Sequence, residues 1–345
     1  MVFTEFSSKK GKMMRIKLFV VAVILVLLPG AFAQQAGKPA CDRACLEKYV
    51  DRYMDAMLAH EPNPTLFARE CKFTENGVQL PLGNEGLWFA MSGKGTYKFY
   101  IPDIETQQIA FIGTAREGGA APGAKPAEGT IVAIALRLKI VNNLITEVEQ
   151  LVIRPETSLT GGGSSSGFPP TGVSVEKMGS PHKIFAEVIP EAERPSREEL
   201  VKTANYYFTG LQRNDGKGYY PFTDDCDRFE NGMQTTNQSR KDPTTGQVTK
   251  GMGCKEQFEK GLKGVVSRVR DRRFVAVDRE RGIVFAFGFF DHEQINWTWQ
   301  LAELFKIEKG NIRRIEAVFH RCPYGMNSGW STYEQGISDQ IQSIR

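Results

Sequence analysis

Apolar residues first recur at helical spacing just past residue 41. Leu46, Tyr49, Val50, Tyr53 and Met57 share one face of a helix, and Asp42 stands where a side chain can cap its first turn. The stripe returns as Leu200, Ala204, Tyr207, Phe208 and Leu211, behind Ser196 and Glu199 at capping-box spacing. A second short helix is expected after each, around residues 64–68 and 218–222. Elsewhere the period shortens. Unbroken apolar runs at 109–113, 131–136 and 283–290 read as strands, and Asn142-Asn143 and Lys309-Gly310 read as hairpin turns between the last two strands of each half.

The two halves match in order. Cys71-Lys72-Phe73-Thr74-Glu75-Asn76-Gly77 parallels Cys226-Asp227-Arg228-Phe229-Glu230-Asn231-Gly232. Ile109–Gly113 parallels Val284–Gly288, and Lys139, Ile145, Glu149 and Arg154 align with Lys306, Ile312, Glu316 and Arg321. Three ordered anchors in one chain indicate a duplicated module, at residues 41–155 and 196–330. Between them, residues 156–195 are Gly/Ser/Pro-rich and read as a linker onto which Ile184, Phe185, Val188 and Ile189 can dock a short piece. Residues 331–345 form a C-terminal tail. Helices first and strands after predict an α+β class with two tandem cone-shaped modules. In each, a curved antiparallel sheet would wrap around a long N-terminal helix.

This element order, the Cys-Asp-Arg-Ala-Cys-Leu segment at 41–46 and the Glu-Asn-Gly motif in each half resemble the SnoaL-like, nuclear-transport-factor-2-like superfamily, the cystatin-like α+β cone. Within it they look like an uncharacterised family of exported bacterial and fungal proteins. The resemblance spans roughly 41–155 and 196–330. It implies a cone enclosing an apolar pocket, in a superfamily whose members include isomerases, dehydratases, cyclases and pure binding modules. It also implies pairing of cones through their sheet faces.

Residues 1–33 read as a signal peptide: basic Lys9, Lys10, Lys12, Arg15 and Lys17, an apolar run at 18–28, then Ala31-Phe32-Ala33 as a cleavage site. The run is shorter than the ~20 residues of a spanning helix. Cleavage would leave Gln34 first, and the expected location is secreted or periplasmic, with no membrane attachment afterwards. The formal charge of +4 over 345 residues gives no reason to expect nucleic acid. The basic run 268–273 reads as a solvated strand end. Six cysteines, at 41, 45, 71, 226, 254 and 322, favour disulfides and no free reactive thiol in an exported chain. Cys226 is expected to pair with Cys254 across the polar insertion between them. Cys41, Cys45, Cys71 and Cys322 are further candidates. No C-x2-C pair points to a metal.

Acid–base chemistry in a cone needs a titratable group inside an apolar wall. Asp291 and His292 end the apolar run of 283–290, on opposite faces of a strand. Glu316 and His320 share one face of the last strand. Arg314 lies on that face too, so a solvent-facing row of salt bridges is the competing reading. Glu230 belongs to the repeated Glu-Asn-Gly, whose Asn-Gly is turn chemistry but whose Glu is not demanded by a turn. Trp297 and Trp299 share a face, and with Tyr207, Phe287 and Phe289 they would line a pocket for a small apolar, aromatic or sugar-like molecule, or else form core. Asn237-Gln238-Ser239 and Asn296-Trp297-Thr298 match the glycosylation pattern, which matters only in a eukaryotic host, and Asn296, read as lying on a strand, is expected to be a poor site. No Walker loop, dinucleotide fingerprint, G-x-S-x-G or H-E-x-x-H occurs, and no cofactor is implied.

Three functions stay open. One is a cofactor-independent lyase or isomerase, with Glu230, His292 or His320 abstracting a proton and a tyrosine stabilising the oxyanion. Another is a ligand-binding module without turnover. The last is an interaction protein of two packed cones, with homo-oligomers an option. Any activity is expected mainly in the second module, because Ile153 stands where the second has His320.

Overall fold

The computed structural model describes residues 41–118, 129–155, 169–213, 215–261, 266–338 and 341. The expected signal peptide and the Gly/Ser run of 161–167 lie outside them.

Helix α1 (Arg43–Leu58) opens the first module, with the Asp42 carboxylate accepting from the Cys45 backbone N–H at 2.9 Å. Strands β1 (Phe67–Glu75) and β2 (Val78–Gln79), the short helix α2 (Leu87–Ala90), and strands β3 (Met91–Asp103), β4 (Gln108–Glu117), β5 (Thr130–Val141) and β6 (Leu144–Ile153) follow. Helix α3 (Thr171–Lys177) lies between the modules. The second module has helix α4 (Arg197–Arg213), strands β7 (Phe222–Glu230), β8 (Met233–Gln234), β9 (Ser239–Lys241) and β10 (Val248–Lys250), and α5 (Cys254–Glu256), which runs into a π-helical turn (Gln257–Gly261). Then come β11 (Arg268–Asp278), β12 (Ile283–His292), β13 (Trp297–Glu308) and β14 (Asn311–Pro323), and finally α6 (Tyr333–Gly336).

The class is α+β, with two six-stranded sheets of orders β2-β1-β6-β5-β4-β3 and β8-β7-β14-β13-β12-β11. The two orders are the same element for element. In each sheet one pairing is parallel, β1 with β6 and β7 with β14. The helices α1 and α4 have 16 and 17 residues. That is about 25 Å, against about 43 Å for a 13-residue strand, so neither helix is long enough to run the full length of its sheet.

Strand alternation sorts the apolar residues into three cores. Leu136 and Leu138 face α1, and Leu301 and Phe305 face α4. The opposite faces, including Ala133, Ala135, Phe285, Phe287 and Leu304, meet in a third core between the two sheets. Ile184 and Phe185 join that core, and Val175 of α3 packs there too.

Several local expectations change. Residues 64–68 and 218–222 form no second helix. Asn63 caps a turn by accepting from the Thr65 N–H at 2.8 Å, and β1 begins at Phe67. The second short helix instead follows β2 as α2, or the insertion as α5. The run 268–273 is not solvated: Arg270, Asp271, Arg272 and Arg273 are all at most 2% exposed. They lie between the sheets and under α4, where Asp291, Glu149 and the Asn205, Thr209 and Gln212 side chains receive the guanidinium hydrogens.

The Asn-Gly pairs do form turns with positive φ, at 48° and 79° for Asn76-Gly77 and 51° and 79° for Asn231-Gly232. The asparagines do more than turn. Asn231 Oδ1 accepts from the Phe319 N–H at 2.9 Å while its Nδ2 donates to the Phe319 carbonyl, so the side chain extends the β7–β14 pairing. Asn76 does the same on Val152.

Candidate functional site in the second module

The inner face of the second sheet carries a row that the sequence reading missed. Register places Glu230 opposite Ala317, Ala317 opposite Glu303, and Glu303 opposite Ala286. Two carboxyls two strands apart, about 10 Å, thus alternate with alanines along one row of the sheet. The equivalent row of the first module is Glu75, Gln150 and Leu136.

Glu303 is 1% exposed. Burial pushes its carboxyl up to about 8, the bond with the Tyr207 hydroxyl opposes the rise, and the Glu230 charge adds to it. Tyr207 comes from α4 and its hydroxyl also engages Arg228 of β7. Arg228 holds Glu230 at 3.2 Å and donates to Gln257 Oε1 at 2.6 Å. Glu230 is the accessible member, its side chain 28% exposed. The Cys226–Cys254 disulfide fixes the insertion to β7 and so seats Phe258 against Tyr207, ring centres 5.1 Å apart.

The modules differ in how their interiors are satisfied. In the first, Trp88 Nε1 donates to the Tyr53 hydroxyl, which donates to Gln150 Oε1 at 2.8 Å. Gln150 donates onward to Glu75, which also accepts from the Leu87 N–H and from Arg154. That network closes on itself. In the second, Glu303 Oε2, the Tyr220 hydroxyl, Trp297 Nε1 and both His292 nitrogens are buried without a well-formed hydrogen bond.

The remaining sequence candidates scatter. His292 does lie on the inner face, against Trp299 at 4.4 Å and Trp297 at 5.8 Å, with Phe319 stacked on Trp299 and Arg321 over Trp297. Burial lowers its pKa. This aromatic cluster lies four to six residues along β13 from Glu303, about 13–20 Å, so it forms a second station. Phe287 and Phe289, expected to line a pocket with the indoles, instead point to the other face, near Arg273 and Arg270. Asp291 is on that face too. Burial acts to raise its pKa, but bonds from Arg270 and Thr298 hold the carboxyl below its ordinary range, and Arg268 also donates to it.

Glu316 and His320 also face outward, but not into solvent. Glu316 accepts from Arg314 at 2.7 Å beside Tyr97 of the first module, next to a gap of only about 10 Å³. His320 meets Gln300 at 3.1 Å, and burial with the Arg154 charge pushes its imidazole down to about 4. The expected acid–base pair is therefore part of the boundary between modules. Cys41–Cys45 and Cys226–Cys254 are disulfides, while Cys71 and Cys322 are free thiols that burial pushes up to about 12, which keeps them in the unreactive thiol form at neutral pH. A surface cavity of about 730 Å³ lies beside Arg194, Lys202, Tyr206 and Tyr219. Among the described residues, no group of three or more His, Cys, Asp or Glu is placed to hold a metal ion.

Residues 193–319, from the approach to α4 well into β14, match the profile of a domain of unknown function, DUF8021. No curated protein matches the chain. Among solved structures, a de novo designed protein with a curved β-sheet is similar at 17% identity and a TM-score of 0.24, over 36% of this chain and 88% of that one.

The signal that could have found Glu303 was present. It is the one titratable side chain within Leu301-Ala302-Glu303-Leu304-Phe305. Arg228 and Phe258 had no such signal, since their place depends on the fold of the insertion.

Proposed function

We propose that this is an exported small-molecule-binding protein of the SnoaL-like cone type, with the second module handling the ligand by acid–base chemistry. The observation that carries the reading is Glu303: a buried carboxyl whose pKa burial raises to about 8, beside Tyr207, with Oε2 lacking a hydrogen-bond partner among the described residues. A neutral carboxylic acid beside a tyrosine is a donor pair suited to a developing oxyanion. Glu230, the accessible carboxylate on the same row, is the proposed base that removes a proton from carbon next to a carbonyl. The ligand class is then a small conjugated carbonyl compound, and the reaction an isomerisation or elimination without a cofactor. Two disulfides support export. Among the described residues, no helix is long and apolar enough to cross a membrane.

A second reading has one observation of its own. Phe258 packs on Tyr207, Tyr220 and Phe222, which suits a filled core whose task is to hold two modules together.

Small conjugated ketones and phenols titrated against the protein, followed by tryptophan fluorescence and then located by crystallography, decide between them. Binding beside Glu303 that weakens more than tenfold in Glu303→Gln is expected. Phe258→Ala should admit larger members of the series. Ligands lying elsewhere, or affinities unchanged in Glu303→Gln and Glu230→Gln, would sink the catalytic reading and leave the structural one.

A further inference from the structure

The two glycosylation patterns in the chain sit in opposite structural settings. Asn296 is at the tip of the β12–β13 hairpin, with φ of 51°, directly after a single 3-10 turn. It is exposed, as are Glu293, Gln294 and Ile295 before it. Its side chain has no hydrogen-bond partner among the described residues, so its amide is free to be substituted. Ile295, 56% exposed, offers an apolar surface against which a first sugar ring can lie. Thr298, the hydroxyl residue of the pattern, ends up buried and donates to Asp291 at 2.7 Å. That burial is compatible with modification, because the hydroxyl is not consumed in the transfer and can take its place as the hairpin closes.

Asn237 is the reverse case. Its Nδ2 donates to the Cys226 carbonyl at 2.9 Å and to Asp227 at 3.0 Å. Both bonds tie the insertion to the strand that carries the Cys226–Cys254 disulfide. A glycosylated amide keeps one N–H, so a sugar there would break one of these bonds and would have to enter the space beside β7.

We infer that Asn296 is an N-glycosylation site and Asn237 is not. This rests on the proposed export of the chain into a glycosylating compartment. The donor is an oligosaccharide linked to a lipid pyrophosphate. The Asn296 amide nitrogen bonds to the sugar's C1, the C1–oxygen bond to the pyrophosphate breaks with its electron pair, and the amide gives up one proton. The glycan keeps this end of the sheet, with His292, Trp297 and Trp299 just behind the hairpin tip, facing solvent. Tight contacts between copies of the chain through that tip are thereby excluded.

The test is expression of the full chain, with its own N-terminal segment, in a yeast secretory system. Glycans are released from the secreted protein by an amidase in heavy-oxygen water, which converts each glycosylated Asn to a labelled Asp, and peptides are mapped. Label at residue 296, with Asn296→Gln losing the glycan mass and Asn237→Gln keeping it, is the expected result. Secreted protein with Asn296 unmodified, or with a glycan on Asn237, overturns the assignment. Protein that stays in the cytosol overturns the export reading, and the inference falls with it. Thermal unfolding of Asn296→Gln close to that of the deglycosylated parent shows that the loss of glycan is not a loss of fold.

Discussion

Glu303 stands where the first module has Leu136, and that single exchange puts an ionisable group into an apolar wall. Its effect on stability has a definite sign. The unfolded chain releases this proton near the ordinary 4.5, whereas the folded chain keeps it up to about 8. Below 4.5 both states hold the proton and stability is at its highest for this group. As pH rises through the window the folded state becomes the one with more protons bound, and stability falls by about 1.4 kcal/mol per pH unit. Urea denaturation of the parent and of Glu303→Gln at pH 5, 6, 7 and 8 checks this. The variant's stability relative to the parent should climb steadily with pH, and parallel profiles would show that the carboxyl is not buried in its neutral form.

Among the elements, the insertion between β8 and β11 most distinguishes the second module. Cys71 and Cys226 occupy equivalent positions at β1 and β7, but only Cys226 finds a partner, because only the second module has the insertion that brings Cys254 to a Cα–Cα distance of 5.8 Å. A bridge across a sequence separation of 28 stabilises by roughly 3–4 kcal/mol in the chain-entropy account. The Cys41–Cys45 bridge, with a separation of 4, closes a much smaller loop and should contribute only about 2 kcal/mol. Replacing both members of each pair with alanine and comparing denaturation midpoints should reproduce that order. The 226/254 variant should also expose Phe258 and Tyr207, seen as faster hydrogen exchange in 254–261 than in the 41/45 variant. Equal losses from the two bridges would refute the argument.

At the level of the whole molecule, two sheets of the same order meet back to back, and charge is buried along with the apolar residues between them. Arg273 of β11 donates both terminal nitrogens to Glu149 of β6 at 2.6 Å each, with both side chains at most 5% exposed. Asp271, one bulge away, also faces Arg273 at 3.0 Å. The segment before α6 crosses the same boundary, with Trp330 Nε1 donating to Thr74 Oγ1 at 2.8 Å. Removing one member of a buried pair leaves the other charge under-compensated, so Glu149→Ala should cost about 3–5 kcal/mol. Glu149→Gln, which keeps an acceptor, should cost less. Chemical denaturation of both variants measures this. A Glu149→Ala variant as stable as the parent would mean that the sheets do not pack through this pair.

What the sequence by itself determined is what local chemistry can encode. The caps at Asp42 and Ser196, the stripes on α1 and α4, the Asn-Gly turns and the repeat of strand order all follow from spacing and from residues with narrow backbone preferences. The Cys226–Cys254 pairing was also legible, since a polar insertion between two cysteines of one module is a closed loop in waiting. Tertiary structure alone decided which face of each strand meets which partner. Alternation tells that Phe287 and Phe289 share a face, and that Glu316 and His320 do, but period two is blind to whether that face looks toward the module's own helix or toward the other sheet. With both faces of β12 buried, its apolar run carries no polar side to break the tie. The arginines of β11 read as solvated for the same reason: their counter-charges, Glu149 and Asp291, are distant in sequence and become neighbours only when the sheets pair and pack.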